Sequence, residues 1–298
     1  MTADPSQTGD ILMTPAAARL HDIASVANPA QAAELDLTIF VSCYDEEKFI
    51  ADTLDTIRAG LAAIGRLSYE IIVIDDHSRD GSAKVVEAYI ASHPDDRILL
   101  RRNRANRGLA QNYFDAAFIG KGRYYRLICG DNAEPQDTIT AVFSELGQAD
   151  MLIPFYVTNE GKSLFRRSLS NLYSGLINFI TRYRLHYYNG LAVHLRYNVM
   201  RWHPNTRGFG FQADIICMLL DEGFSYKEVP VRAVERKKGD SKALTVRNML
   251  SVTHTIIDII IRRISNRVYK SGRTPVRHHS GPSPAGHVRR SPSTGPQA

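Results

Sequence analysis

Two apolar, strand-like runs, each ending in a cluster of acidic residues, constrain the fold of this chain more than any other feature. The first, residues 71–74, leads into Asp75 and Asp76, and the second, residues 124–129, leads into Asp131. A β-branched run followed by Asp, Ser and Gly is typical of a buried parallel strand that opens into a loop and a helix. In open α/β sheets, ligands bind in the crevice beyond the carboxyl ends of the strands. The acidic clusters therefore indicate a ligand site as well as a fold.

Strand-like and helix-like segments alternate over the first half of the chain. Apolar runs predict strands at residues 37–41, 70–75, 97–100, 124–129 and 150–154, with apolar residues at helical spacing between them. Such alternation implies an α/β fold with a doubly wound, mostly parallel sheet flanked by helices. Beyond residue 155 the pattern loosens, and we expect a helix at 164–181, short strands near 191–201, a helix at 211–222 and a strand at 226–231.

The composition predicts one large domain with tails. The 298 residues are 44% hydrophobic and 23% charged, which is enough for a single sizeable core. The two ends are rich in residues typical of disordered segments, and the second is basic, with no Asp or Glu. We expect a disordered lead at 1–35, a folded domain at 36–245, an amphipathic, interfacial helix at 246–264 and a basic disordered tail at 265–298. For the helix, packing against the domain or a dimer contact is the alternative to an interfacial role.

The charge distribution and the cysteines limit where the protein is expected to reside and what it is expected to bind. The net charge of +6 is concentrated towards the C-terminus. Polybasic residues there favour contact with anionic lipid over nucleic acid, because they are not interleaved with aromatics on a folded face. Three widely spaced cysteines fit no metal spacing and indicate a reduced setting. The sequence contains no recognisable signal peptide or transmembrane run, so we expect a cytoplasmic protein, peripheral to the inner face of the membrane. Homodimerisation stays open.

Four motifs follow one another along residues 36–245. They are Tyr44-Asp45-Glu46-Glu47, then Asp75-Asp76-x-Ser78-x-Asp80-Gly81-Ser82, then Gly130-Asp131, and finally Val229-Pro230-Val231 followed by Arg236-x-x-Gly239-x-Ser241-Lys242. Together they resemble the motifs of the inverting family 2 glycosyltransferases, and most closely those of the polyprenyl-phosphate (dolichyl-phosphate) sugar synthase branch. The resemblance implies the GT-A fold of nucleotide-diphospho-sugar transferases.

The resemblance assigns the donor nucleotide to the first two motifs. It implies that Tyr44, Glu46, Asp75 and Asp76 contact the base and the ribose of a UDP- or GDP-sugar. Two adjacent carboxylates at a strand end repel each other, which a purely structural role rarely requires. Arg104 lies in an Asn- and Arg-rich loop and is a candidate for diphosphate contact, with a solvated charge run as the alternative.

The third motif implies a divalent metal, Mg²⁺ or Mn²⁺. Asp131 matches the last Asp of the family's Asp-x-Asp and is assigned both metal binding and catalysis. Cys129 stands where the family has the first Asp, and Glu134 is a further oxygen ligand that partly compensates. A hard ion held by few carboxylates and by the substrate phosphates suits a diphosphate leaving group. The alternative for Asp131 is a helix cap ahead of Pro135.

The remaining candidates concern the acceptor. Arg166 and Ser170 are four residues apart on one helix face, and an Arg and a Ser at this spacing meet the acceptor phosphate in the lipid-phosphate branch. A cationic loop that closes over the phosphates in that branch corresponds to Arg236, Ser241 and Lys242. Asp214 is a candidate general base for a hydroxyl acceptor, and an orienting residue if the acceptor is already a phosphate anion.

These expectations lead to one function and two alternatives. The first is transfer of a sugar from a nucleotide-sugar donor, with inversion, to a polyprenyl phosphate at the cytoplasmic membrane face. The second has the same donor chemistry with a saccharide hydroxyl as acceptor. The third is a non-catalytic sugar-nucleotide-binding protein, for which Cys129 in the acidic motif is the main support.

Overall fold

The computed structural model describes residues 34–157, 164–202, 210–232 and 246–269. Within these ranges the chain forms one seven-stranded sheet flanked by helices. The strands are β1 (Leu35–Cys43), β2 (Tyr69–Asp75), β3 (Ile98–Arg102), β4 (Gly122–Cys129), β5 (Met151–Tyr156), β6 (Val193–Leu195) and β7 (Tyr226–Val231). The helices are α1 (Ile50–Ile64), α2 (Ser82–Ser92), α3 (Leu109–Ile119), α4 (Gln136–Ser144), α5 (Leu164–Thr181), α6 (Arg196–Met200), α7 (Phe211–Asp221) and α8 (Val246–Tyr269).

The strand order is β3-β2-β1-β4-β6-β5-β7. β1 pairs in parallel with β2 on one side and with β4 on the other, while β6 runs antiparallel to both β4 and β5. The predicted mostly parallel α/β sheet is therefore confirmed. Because parallel strands end at the same edge, the loops that follow β2, β1 and β4 lie next to one another.

The predicted region of short strands near 191–201 is only partly strand. Val193–Leu195 forms β6, whereas Arg196–Met200 forms the short helix α6. Arg196 explains the change of direction, because its side chain donates hydrogen bonds to the carbonyl oxygens of Gly122 and Ala117 at 2.8 and 3.1 Å. These contacts hold the start of α6 against β4 and α3 instead of extending the strand.

Both faces of the sheet are covered by apolar cores, as expected for strands that are apolar at successive positions. On one face, α1, α2 and α4 pack over β1 and β2 through residues such as Leu54 and Val86. On the other face, α3, α5, α7 and α8 enclose a larger core that includes Tyr113 and Trp202. Each fully buried aliphatic or aromatic side chain contributes about 1.5–3 kcal/mol to folding.

The helices α5, α7 and α8 form a common layer on the second face. Arg263 of α8 pairs with Asp221 at the end of α7, and its Nη2 donates to the Thr181 carbonyl oxygen at the end of α5 at 2.9 Å. α8 is longer than the predicted helix at 246–264, and its interfacial role stays a prediction at this stage. Within the described part of the chain, no helix is both long enough and apolar enough to cross a bilayer.

We predict that Gly122→Ala destabilises the sheet by about 2–3 kcal/mol, because overpacking would force β4 away from β1. A Cβ atom at Gly122 would lie 2.2 Å from the Thr38 amide nitrogen and 2.4 Å from the Leu37 carbonyl carbon. Gly175→Ala in α5 is the control, since nothing lies within 4 Å of its Cβ position. There we expect a gain of about 0.5–1 kcal/mol. Urea denaturation measures the free energy of unfolding of both variants. Equal values for Gly122→Ala and Gly175→Ala would contradict the packing argument.

Candidate active site at the carboxyl ends of β1, β2 and β4

The loop after β1 is fastened to the loop after β2 by hydrogen bonds in both directions. The Asp45 amide donates to Ser78 Oγ at 3.0 Å, and the Arg79 amide donates to Asp45 Oδ1 at 2.7 Å. The Glu46 amide donates to Ser82 Oγ at 2.8 Å. These contacts fix the positions of two of the sequence-predicted motifs relative to each other.

Asp76 anchors a third loop, residues 103–108. Its Oδ1 accepts hydrogen bonds from Asn103 Nδ2 and the Arg107 amide, both at 2.8 Å, and its Oδ2 accepts from the Gly108 amide at 2.9 Å. Burial alone would raise the pKa of Asp76, but these donors and Asn112 outweigh it and lower the pKa below its ordinary value. The carboxylate is therefore held ionised and serves to shape this loop.

The five predicted donor-side residues all lie at this edge of the sheet. Asp75 is the buried last residue of β2, with the Ser78 amide 3.3 Å from its Oδ1. Tyr44 and Glu46 follow β1 and are half-buried, and Arg104 is exposed in the loop that Asp76 anchors. The two adjacent carboxylates are thus in different settings. Because hydrogen bonds occupy both carboxylate oxygens of Asp76, we assign the nucleoside contact to Asp75. The nucleoside contacts expected for the two residues stay predictions.

The loop after β4 carries Asp131 and is fastened to β1 and α1. The Gly130 amide donates to the Ser42 carbonyl oxygen at 2.9 Å, and a Cβ on Gly130 would lie 2.6 Å from that oxygen. Thr53 Oγ1 donates to the Gly130 carbonyl oxygen at 2.9 Å and accepts from the Asn132 amide at 3.0 Å. Glycine is therefore required before Asp131, because the backbones of β1 and this loop approach so closely.

Three non-glycine residues with positive φ occur in these same loops. Asp45, His77 and Asn132 have φ of 57°, 67° and 49°, and they follow β1, β2 and β4 respectively. A left-handed backbone is unfavourable for residues with a Cβ and persists where the surroundings impose it. His77, to which the sequence motifs assign no role, is an exposed residue that turns the chain away from β2.

A buried ion pair that the sequence motifs do not predict lies beneath the Asp131 loop. Arg126, in the middle of β4, is 1% exposed, and its Nη2 lies 2.5 Å from Glu134 Oε1. Its Nε donates to the Leu191 carbonyl oxygen at 3.0 Å, and its guanidinium stands 5.3 Å from the Phe143 ring centre. The sequence signal for this pair is an Arg within an otherwise apolar strand. Such an Arg is buried with the strand, and buried charges are almost always paired.

This pair bears on the predicted metal site. Glu134 is directed to Arg126, so Asp131 is the main oxygen ligand that the loop offers. Cys129, the half-buried last residue of β4, supplies a soft thiol that does not suit Mg²⁺. Among the described residues no group of three or more His, Cys, Asp or Glu side chains is placed to hold an ion. One carboxylate still fits a hard ion that takes most of its ligands from substrate phosphates and water.

Two tyrosines flank the same edge on the β5 side. The rings of Tyr156, at the end of β5, and Tyr187 meet edge to face with their centres 5.8 Å apart. Burial raises the pKa of Tyr156 to about 12, and neighbouring Tyr187 and Glu134 add to the shift. An aromatic wall next to the Asp131 loop is a common lining of a ligand pocket. The loosened sequence pattern after residue 155 gave no signal for it.

Asp214 lies in the first turn of α7 and is almost fully buried. Its Oδ2 accepts a hydrogen bond from Trp202 Nε1 at 2.8 Å, and its Oδ1 pairs with Arg262 of α8. Oδ1 therefore ties α8 to the domain, and Oδ2 is occupied by Trp202. This favours the orienting role over the general-base role, because a base needs an oxygen directed to the acceptor hydroxyl.

The structure describes only part of the predicted acceptor site. Ser170 is half-buried on α5, and Arg166 belongs to the same helix, one turn earlier. Arg236, Ser241 and Lys242 lie outside the described residues. Their roles stay predictions.

The fold and these loops match known proteins. The family model described as glycosyl transferase family 2 matches residues 38–203, more than half of the chain. Dolichyl-phosphate beta-glucosyltransferase from Dictyostelium discoideum is 32% identical over 33% of this chain and 31% of its own length. Undecaprenyl-phosphate 4-deoxy-4-formamido-L-arabinose transferase from Edwardsiella ictaluri is 25% identical over 69% of this chain and 62% of its own. The chain thus matches less than two thirds of the length of either relative.

Solved structures agree with the fold. Glucosyl-3-phosphoglycerate synthase from Mycobacterium tuberculosis, in complex with UDP, superposes with a TM-score of 0.57 at 15% identity, covering 78% of this chain and 82% of that one. The same enzyme with Mn²⁺, UDP and glucosyl-3-phosphoglycerate gives a TM-score of 0.55 at 16% identity over 78% and 81% of the two chains. At this identity the likeness concerns the fold alone, and it confirms the predicted GT-A fold.

We predict that Asp76→Asn lowers the free energy of unfolding by about 2 kcal/mol or more at pH 7, because buried amides lose their ionised acceptor. The folded-state pKa of Asp76 is depressed, so its contribution is present above the unfolded pKa of about 3.9 and is lost as pH falls through the folded value. The difference between wild type and variant should therefore shrink below about pH 4. Urea denaturation across pH measures it, with exposed Asp95→Asn as the control. A difference independent of pH would contradict the ionised anchor.

We also predict that Asp214→Asn costs about 2–3 kcal/mol, because it leaves the Arg262 guanidinium without its counter-charge. In an Arg262→Met background the same change should cost much less. Urea denaturation of the two single variants and the double variant gives the coupling free energy, which we expect to be about 1–3 kcal/mol. Asp258→Asn, whose partner His254 is exposed on α8, is the control. Additive effects would show that the Asp214 pair does not hold α8.

Proposed function

Because the chain belongs to glycosyl transferase family 2, we propose that it moves a sugar from a UDP- or GDP-sugar, with inversion, to a polyprenyl phosphate at the cytoplasmic face of the membrane. The donor half of this proposal rests on the three fastened loops at the ends of β1, β2 and β4. The names of the curated relatives support a lipid phosphate as acceptor, since they refer to dolichyl and undecaprenyl phosphate.

The residues of this chain suit a single displacement. We assign the base and the ribose to the pocket around Tyr44, Glu46 and Asp75, which follow adjacent strands. Asp131 would hold Mg²⁺ or Mn²⁺, as the Mn²⁺ and UDP in the complex of the fold neighbour suggest. That ion would supply charge neutralisation for the departing diphosphate. The loop that carries Asp131 is fixed before substrate arrives, so the carboxylate needs little reorganisation.

The setting of Asp214 is the observation that favours a phosphate acceptor. A hydroxyl must lose a proton as it attacks the anomeric carbon, and this requires a base directed to it. Asp214, the residue predicted for that task, is occupied by Trp202 and Arg262. A phosphate oxygen is already an anion and attacks without a base. The saccharide-hydroxyl alternative therefore receives less support from this site.

We predict that the full chain forms a glycolipid from undecaprenyl phosphate and one member of a panel of UDP- and GDP-sugars, in the presence of Mg²⁺ or Mn²⁺. Asp131→Asn should lower the rate by about 10²-fold or more, because a group that stabilises charge in the transition state is lost. Exposed Asp137→Asn, in the first turn of α4, is the matched control and should keep the rate. Chromatography of radiolabelled lipid products measures both.

Two other outcomes would reject this proposal. Transfer to a saccharide acceptor, with no lipid product from any donor, would establish the hydroxyl alternative. Nucleotide-sugar binding by calorimetry, with no product on either acceptor class, would establish a binding protein.

A further inference from the structure

The loop after β4 contains two carboxylates, and the structure gives them different partners. Asp131 Oδ1 accepts a hydrogen bond from the Ala133 amide at 3.2 Å, a contact within the loop itself. Glu134 follows three residues later, and its Oε1 lies 2.5 Å from Nη2 of Arg126, a residue of β4. Glu134 is thus turned towards the core of the domain, although it belongs to the loop that carries the metal-site candidate.

Arg126 depends on Glu134 for its counter-charge. In the described part of the chain, Glu134 is its one carboxylate partner, and its buried Nη1 finds no hydrogen-bond acceptor there. The Arg126 side chain is 1% exposed, so water cannot take the place of the carboxylate. Removal of one member of a buried ion pair leaves an uncompensated charge and is strongly unfavourable. Glu134 is therefore held on Arg126 and is withheld from an ion at Asp131.

Cys129 removes a further oxygen ligand from the same loop. It is the half-buried last residue of β4, and its thiol is a soft ligand that suits Mg²⁺ poorly. With Glu134 on Arg126, Asp131 is the one acidic side chain that the loop directs away from the core. An octahedral Mg²⁺ ion is usually bound through one or two carboxylates together with substrate phosphates. The protein side of this site is therefore at the lower limit of what holds such an ion.

We propose that Arg126 is a positioning residue that withholds Glu134 from the ion, so that the Asp131 loop binds Mg²⁺ or Mn²⁺ only together with a nucleotide diphosphate. The phosphate oxygens then supply the ligands that Glu134 and Cys129 do not. Coupling between two ligands is reciprocal, so the ion must strengthen nucleotide binding by the same factor. The inference rests on the proposed function for the identity of the nucleotide, whereas the role of Arg126 follows from its contacts alone.

The first test uses the wild-type full chain. Electron paramagnetic resonance measures how much Mn²⁺ the protein binds without nucleotide, and calorimetry measures the affinity for UDP and GDP with and without Mn²⁺. We expect little Mn²⁺ to bind alone, at concentrations at which Mn²⁺ strengthens binding of the preferred nucleotide about tenfold or more. Tight binding of Mn²⁺ to the nucleotide-free protein, or a nucleotide affinity that Mn²⁺ leaves unchanged, would overturn the proposal.

The second test removes the arginine. Arg126→Met should raise the Mn²⁺ affinity of the nucleotide-free protein about tenfold, the scale on which partners of metal ligands change affinity, because Glu134 is released. Adding Glu134→Gln should abolish this gain. A merely structural role of Arg126 predicts the opposite, since a disturbed loop would bind the ion no better than wild type. The matched control is Arg58→Met, which removes an arginine from its ion pair with Asp96 and should bind Mn²⁺ as wild type does.

The contrary outcomes are separable from failure of the proposed reaction. A folded Arg126→Met variant without a gain, or a gain that persists after Glu134→Gln, would reject the role of the pair. If circular dichroism shows that Arg126→Met does not fold, Cys129→Asp takes its place. It should raise the Mn²⁺ affinity about tenfold whereas Cys129→Ser should not, and equal affinities would show that the loop is not short of carboxylates. Failure of both UDP and GDP to bind rejects the proposed donor, while the Mn²⁺ titrations without nucleotide still decide the role of Arg126.

Discussion

Carboxylates that accept hydrogen bonds from backbone amides hold the candidate active site together. Asp45 accepts from the Arg79 amide, Asp76 from the amides of Arg107 and Gly108, and Asp80 from those of Glu47 and Ser82. Parallel strands bring their carboxyl ends to one edge but do not fix the loops that follow. An ionised carboxylate can accept several amides at once, so each of these residues orders a loop that carries no regular structure.

The same arrangement resolves an electrostatic difficulty at this edge. A site for a diphosphate should not present unneutralised negative charge, yet the loops are rich in Asp and Glu. The neutral donors around Asp76 stabilise its charge, and the buried Arg126 neutralises Glu134, so part of this negative charge is already compensated. The Asp131 carboxylate also accepts a backbone amide, that of Ala133 at 3.2 Å, but its loop is held mainly through the backbone of Gly130 and Asn132. Among the acidic residues of the loops, Asp131 is thus the one whose position suits a cation shared with substrate.

The sequence predicted the sheet, the position of the acidic motifs and the helix at 164–181, because those features depend on local patterns. An apolar run that ends in Asp75 or in Gly130-Asp131 marks a strand end wherever it occurs. The roles of individual carboxylates depend on partners far along the chain. Asp76 finds its donors about thirty residues later, and Asp214 finds Arg262 forty-eight residues later. No spacing rule connects such positions, so the sequence indicates only a nucleoside contact for Asp76 and leaves two roles open for Asp214.

Arg126 is another residue whose role does not follow from the local sequence pattern. Within the run that forms β4 it interrupts the apolar pattern, and a lone Arg is usually assigned to an exposed position. The chain instead turns back after Gly130 and brings Glu134 over the strand, so that the guanidinium is enclosed by a carboxylate, a carbonyl oxygen and the ring of Phe143. Burying this charge without a partner would be costly, so the position of the Asp131 loop is coupled to the packing of β4. The placement of the metal-site candidate therefore depends on the core beneath it as well as on its own motif.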